Sequence, residues 1–275
     1  MAYAQNEKFT SKNAFVENDA NKNIDLKTLI LIIASDNNEA YKQMQKVWEA
    51  YMNSDPAHFE VYFMRGDFDL PTKYAITQNE MKIKTSDGFA PGIINKTIMS
   101  MEALQSRMHE FDYVIRTNLS SFYVFPKLLK YLQTCPGTNC YRGVALYPCE
   151  LPQEFLNIPF VSGAGIIMSK DVAQMLVDES KQFEKYKAEI PDDVFIGMFF
   201  QKKNIPAVYA PRSDYQSKAD WLKGRDSIPE DAFHFRARSH QRFRLEMDPF
   251  VDELFILQEL LQKFYGKTLT EEIAA

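Results

Sequence analysis

The first strong pattern along the chain is "KTLILIIAS", an aliphatic run that stops at the turn-forming residues Asp36 and Asn37. An unbroken apolar run of this kind predicts a strand buried on both faces. In "EAYKQMQKVWEAYM", Ala40, Met44, Val47, Trp48 and Tyr51 recur at helical spacing, and "FEVYFMRGD" reads as a second strand with a turn at Gly66. Strand, helix, strand is the βαβ unit of an α/β protein. Gly88, Pro91 and Gly92 then mark a loop, and Ile94, Ile98, Met101 and Leu104 make the core side of a helix. "DYVIRTNLSSFYVFPKLLKYL" adds a third buried strand, a short polar turn and another helix. Pro126 suits the first turn of that helix, whose apolar face is Phe125, Leu128, Leu129 and Leu132.

Beyond Cys135 the pattern becomes mixed. "NCYRGVALYP" and "FVSGAGIIMS" predict strands, and "KDVAQMLVDESKQF" predicts a helix capped by Ser169. "IPDDVFIGMFFQKK" predicts a helix led by two acids, and "IPAVYAP" a strand. Residues 212–231 are polar and read as loop, "DAFHFRARSHQRFRLEM" is strongly basic, and "DPFVDELFILQELLQKFYG" is an amphipathic C-terminal helix. Residues 1–26 are expected to be a flexible segment and 27–275 a single domain, with no internal repeat.

Composition changes the picture mainly by exclusion. The 275 residues, 45% hydrophobic and 25% charged, suffice for a large core. A formal charge of -5 and a pI near 5.5 argue against a nucleic-acid partner, which needs a basic face. Cys135, Cys140 and Cys149 form neither a disulfide framework nor a paired metal signature, and reduced thiols are expected, although Cys135 and Cys140 lie close enough to be bridged. No apolar leader stands at the N-terminus and no apolar run reaches membrane-spanning length, so a cytoplasmic location without a membrane span is expected.

Doubly wound sheets bind ligands at the carboxyl ends of their strands. Here those ends carry Ser35, Asp36 and Asn37, then Arg65 and Asp67, then Arg116, Thr117 and Asn118. Such a set suits a nucleotide, with acids for base or ribose and cations for phosphate, although strand ends are polar in any α/β protein. Gly163 and Gly165, around Ala164, let backbone approach a ligand or simply turn; they do not form a dinucleotide fingerprint. Asp192 and Asp193 either complement a helix dipole or supply a general base. His234, Arg236 and Arg238 alternate, so an extended segment shows them on one face, as a solvated basic edge or a diphosphate clamp. His234 and His240 are too isolated to suggest zinc.

In this order the pieces resemble GT-A fold glycosyltransferases, most closely the inverting β-1,3-glycosyltransferase group that includes Fringe and the β-1,3-galactosyltransferases. "APGIINKTIMSMEAL" is similar to that group's lysine-threonine stretch at Lys96 and Thr97, and "FDYVIRTNLSSFYVFPKLLKYL" to its strand, DxD turn and Leu-rich helix. "PFVSGAGIIMSKDVAQML" resembles its Ser-Gly-Gly turn, and "IPDDVFIGMFFQKKNI" its Glu-Asp-Val element; the likeness spans residues 28–210. The resemblance implies a Rossmann-like central mixed sheet with helices on both faces, residues 27–134 holding a UDP- or GDP-linked sugar and 135–275 the glycan acceptor. It implies Asp193 as the base, with Asp192 beside it, and Arg116, Asn118 and Ser120 at the donor, where Lys96 and the strand-end residues Ser35, Asp36 and Asp67 are also expected. Ser162, Gly163, Ala164 and Gly165 are implied at the acceptor; His234, Arg236 and Arg238, from their shared face and charge, are expected at the diphosphate. The chain departs from the group at the acidic DxD, where it has Asn118, Leu119 and Ser120. Hard cations prefer carboxylates, so no metal is expected to be required. A catalytically silent glycan- or protein-binding relative of the same fold is the alternative; a nucleotidyltransferase lacks its Gly-rich triphosphate loop here.

Overall fold

The computed structural model describes residues 3–4, 25–238 and 250–269. The elements in chain order begin with β1 (Tyr3–Ala4), β2 (Thr28–Ile33), α1 (Glu39–Tyr51), β3 (Phe59–Gly66), β4 (Tyr74–Thr77), β5 (Glu80–Ile83) and α2 (Gly92–Ala103). There follow β6 (Tyr113–Asn118), β7 (Ser121–Tyr123), α3 (Phe125–Leu132), β8 (Tyr141–Gly143), β9 (Ala145–Pro148), β10 (Phe160–Val161), β11 (Ile166–Ser169) and α4 (Lys170–Glu179). The last are α5 (Asp192–Lys202), β12 (Val208–Tyr209), β13 (Ser213–Tyr215), α6 (Lys218–Gly224), β14 (His234–Ala237) and α7 (Val251–Tyr265).

The continuous apolar strands lie where burial on two faces demands them. An eight-stranded sheet has the order β12-β8-β11-β6-β2-β3-β5-β4, with β2 parallel to both β3 and β6 at its centre. Alternate residues of β2 face opposite sides: Leu29 and Leu31 enter a core shared with α2, α4 and α5, whereas Ile30 and Ile32 enter one shared with α1, α3, α6 and α7. The fold is therefore a mixed α/β sheet with helices on both faces, as expected.

Its topology creates a crevice. The chain runs outward from β2 to β3 and β5, then returns to place β6 on the other side of β2. Antiparallel β11 pairs Ile166 with Arg116, bringing the loop before it to the carboxyl end of β6. A second, three-stranded sheet, β13-β14-β7, pairs Arg236 with Ser121 and so lays the basic strand beside the turn after β6.

Some expectations need correction. Residues 212–231 are not all loop; they hold β13 and α6, whose Trp221 is fully buried. The hairpin β4–β5 and the short β7 had no clear sequence signal. Ser169 precedes α4 but does not cap it, because its hydroxyl donates to Asp171 at 2.5 Å and accepts the Cys140 N–H at 3.0 Å. Of the segment expected to be flexible, residues 1–2 and 5–24 lie outside those described; β1 pairs with β9. Much of the basic stretch, from residue 239 through His240 to 249, also lies outside them.

Helix α7 ends at Gly266, which takes a left-handed φ of 63°. Immediately before it, Tyr265 ties the helix to the site-bearing segment. Its hydroxyl accepts the Phe125 N–H at 2.9 Å and donates to the Tyr123 carbonyl at 2.9 Å, while its ring stacks on Tyr51. Tyr265→Phe keeps the ring and strands both backbone groups, so it is expected to lower the unfolding free energy by about 1–3 kcal/mol. Urea titration checks this; an unshifted midpoint at constant slope refutes it.

Candidate functional site

The carboxyl ends of β2 and β6, the 162–164 loop and the first turn of α5 enclose a cavity of about 390 Å³. Its wall contains Ser35, Lys96, Arg116, Asn118, Ser120, Ser162, Gly163, Ala164, Asp192, Asp193, Arg236 and Arg238, all of them anticipated from the sequence.

Arg116 organises the inner wall. It is only 3% exposed, and its guanidinium donates to the Asp192 carboxylate and to the Gly163 carbonyl. A Cβ on Gly163 would stand 2.4 Å from Arg116 Nη1, so glycine is required for the guanidinium to lie against the loop. The loop is fixed further through the Ala164 carbonyl, which accepts from Thr117 Oγ1 at 2.8 Å and Ser121 Oγ at 2.6 Å.

Asp193 lies beside this pair. Its Oδ2 accepts the Gly163 N–H at 3.1 Å and its Oδ1 accepts the Val194 N–H at 3.0 Å. Burial, then the charge of Asp192, raise its pKa to about 7, against the opposing pull of those hydrogen bonds and of Arg116. The arrangement holds a carboxyl that exchanges a proton near neutrality at the wall of a polar cavity.

The opposite wall contains an acid that sequence reasoning missed. Asp87 Oδ1 accepts from Lys96 Nζ at 2.7 Å and from the Gly66 N–H at 2.7 Å. Lys96, 1% exposed, also donates to the Ala34 carbonyl at 3.2 Å, and burial lowers its pKa against the support of Asp87. A lysine this deeply buried needs a partner for its charge. That need was the available signal, with Asp87 nine residues earlier in the loop. Tyr41, Ile93 and Phe89, the last 54% exposed, give this end an apolar lining.

Four anticipated residues stand outside the cavity wall. Asp36 pairs with Arg65 at 2.6 Å on the outside, and Asp67 Oδ1 accepts the Asp69 N–H in a turn. Gly165 packs behind the wall, where a Cβ would meet the His234 ring at 2.2 Å. His234 itself is 5% exposed and stacks on Tyr123 at 4.2 Å. Burial, then Arg212 and Arg236, push its pKa well below the ordinary range. It is neutral at physiological pH, so the expectation of a cationic clamp member at His234 is corrected: alternation identifies a strand's face but not its depth.

At the turn after β6, Asn118 Oδ1 already accepts from Ser120 Oγ at 2.9 Å. Among the described residues no group of three or more His, Cys, Asp or Glu is placed to hold a metal ion. An amide oxygen already engaged by a hydroxyl, with no carboxylate in the turn, is a weak ligand set for a hard divalent cation. Among the described residues, too, no helix is long and apolar enough to cross a membrane.

No protein-family model matches the chain, and no curated protein matches it. Among solved structures, it is similar to a glycosyltransferase involved in the glycosylation of the major capsid of PBCV-1. The TM-score is 0.38 at 8% identity, over 77% of this chain and 93% of that one.

Replacing Asp192 by Asn removes the neighbouring charge that raises the Asp193 pKa. The Asp193 midpoint is then expected to fall from about 7 toward the ordinary carboxylate range. Carboxyl-carbon NMR titration checks this, and an unmoved midpoint refutes the coupling.

Proposed function

We propose that this protein is an inverting glycosyltransferase that moves a sugar from a UDP- or GDP-linked donor to a glycan hydroxyl without a required metal ion. The observation that carries the reading is Asp193: a buried carboxyl with a pKa raised to about 7, in a cavity whose wall also holds Arg236 and Arg238. In this reading residues 27–134 supply most of the donor side, while the 162–164 loop and Asp193 face the acceptor.

Asp193, ionised, takes the proton of the acceptor hydroxyl as that oxygen attacks the anomeric carbon. The bond from this carbon to the diphosphate oxygen breaks on the opposite face, which inverts the centre. Negative charge grows on the departing diphosphate, and the guanidinium forks of Arg236 and Arg238 match its oxygens. Each hydrogen bond to a charged group contributes about 1.5–3 kcal/mol. Two or three of them reach the several kcal/mol that a Lewis-acid metal contributes. Arg116 and Lys96 are engaged by Asp192 and Asp87, and they shape the wall and add field rather than acting as the principal clamp.

The competing reading, a glycan-binding relative without turnover, is favoured by the missing DxD. The raised carboxyl favours the enzyme, since a binding site needs no proton acceptor poised near neutrality. Donor hydrolysis over a panel of nucleotide sugars separates them.

Titration calorimetry with UDP and GDP is expected to give the same affinity in EDTA as in manganese, and a metal requirement for binding refutes the clamp. Arg236→Ala combined with Arg238→Ala is expected to weaken nucleotide binding by tenfold or more, about 1.4 kcal/mol. Asp193→Asn is expected to lower kcat by about 10²–10⁴-fold while leaving nucleotide affinity nearly unchanged; retained turnover rejects the base. Because the base must be ionised, kcat/KM is expected to rise with pH and level off above about 7. A profile flat from pH 5 to 8 overturns the assignment of this midpoint to Asp193.

A further inference from the structure

The 162–164 loop is held from behind by a cation that the cavity wall does not include. Arg212 lies between β12 and β13, and its side chain is only 3% exposed. Its guanidinium forks onto the Asp214 carboxylate of β13, through Nε to Oδ1 and through Nη2 to Oδ2 at 2.8 Å. The third nitrogen, Nη1, donates to Ser162 Oγ at 3.1 Å. A planar guanidinium fixed on two nitrogens has its third aimed as well, so the pair with Asp214 sets the contact with Ser162.

Ser162 is fixed on its own account. It is buried at the cavity wall, its N–H donates to the Val144 carbonyl at 2.9 Å, and its carbonyl accepts the Gly165 N–H at 3.0 Å. A hydroxyl has one proton to donate and two lone pairs. Arg212 occupies a lone pair, and no described residue accepts the proton. With the cation behind the loop, that proton is left to the cavity, and the bond from Arg212 polarises the O–H into a better donor. The next residue, Gly163, gives its N–H to Asp193 Oδ2, so the hydroxyl stands one residue from the anchor of the carboxyl.

We infer that Ser162 is a specificity-determining hydrogen-bond donor and that Arg212 is the positioning residue that aims it. The Ser162 O–H donates to a sugar oxygen neighbouring the hydroxyl that Asp193 deprotonates. The inference rests on the transferase reading and adds to it a requirement on the acceptor, an oxygen at that neighbouring position.

The test compares kcat/KM for methyl glycosides with kcat/KM for their monodeoxy analogues. Wild-type protein is expected to disfavour one monodeoxy analogue by about tenfold or more, because the missing oxygen leaves the Ser162 hydroxyl unpaired. In Ser162→Ala that ratio is expected to fall to near one, and Arg212→Met is expected to move it in the same direction. The double variant is expected to match Ser162→Ala alone, because Arg212 acts through that hydroxyl. A loop that is merely loosened lowers both members of a pair together and leaves the ratio unchanged. The ratio is internal to each protein and is read from whatever turnover remains; Ser162→Ala, which removes one hydroxyl, decides if Arg212→Met does not fold. No analogue discriminated by wild type, or a ratio unchanged in Ser162→Ala, overturns the inference alone, and a ratio retained in Arg212→Met overturns the role of Arg212. Wild-type protein that neither transfers nor hydrolyses any nucleotide sugar overturns the transferase reading, and this inference with it.

Discussion

The buried ion pair between Arg116 and Asp192 holds together the parts of this molecule from which the cavity is built. Arg116 ends a central strand, Asp192 begins α5, and the same guanidinium fixes the Gly163 carbonyl of a third segment. Two ions removed from water recover their desolvation only when the geometry is satisfied on several sides, and removing one partner typically costs about 3–5 kcal/mol. The pair therefore constrains three segments more than it stabilises the fold. Gly163 and the hydroxyls of Thr117 and Ser121 follow from it, because the loop must come close enough to be held.

The same pair explains why Asp193 differs from Asp192. Adjacent carboxylates compete for one guanidinium, and Asp192 has it. Asp193 is left with two backbone N–H donors, burial and a like charge, and burial with that charge outweighs the donors. The sign of the linkage follows. A carboxyl with a raised pKa in the folded state binds a proton more tightly there than in the unfolded chain. Its contribution to stability is present at low pH and is lost as pH rises through about 7. The ionised form that can accept a proton is the less stable form of the fold, as expected where a site is shaped for chemistry rather than stability.

The sheet and its main helices were legible because periodicity reports burial directly. The alternation of β2 into two cores and the stripe of Ala40, Met44, Val47, Trp48 and Tyr51 on α1 are of this kind. The short β7 and β13 were not legible. A three-residue strand is too short to show a period and is defined by its partner, here β14. The site divides in the same way. Strand ends and the first turn of α5 could be named from local sequence, but the pairing of Arg116 with Asp192, 76 residues apart, is tertiary. Asp87 went unread because Lys96 was expected at the donor, where its charge looked matched by a ligand rather than by an acid nine residues earlier, and His234 was misjudged because depth along a strand leaves no mark in alternation.

In the proposed reading, the pairing of β14 with β7 bears most directly on how a site without a DxD can manage a diphosphate. A metal arrives with the substrate and leaves with it, so the empty cavity carries no uncompensated charge on its behalf. Arginines are permanent: they must be placed where water or an acid solvates them when no ligand is present. Lys96 and Arg116, nearly inaccessible, each have a carboxylate. Arg236, on β14, and Arg238, just past its end, are half-buried at the cavity wall, and the first residue of the strand, His234, is neutral. In the proposed reading the diphosphate meets these two arginines there. Strand β14 fixes their position by hydrogen-bonding the Ala237 N–H to the Ser120 carbonyl, within the turn where the resemblance places the DxD acids.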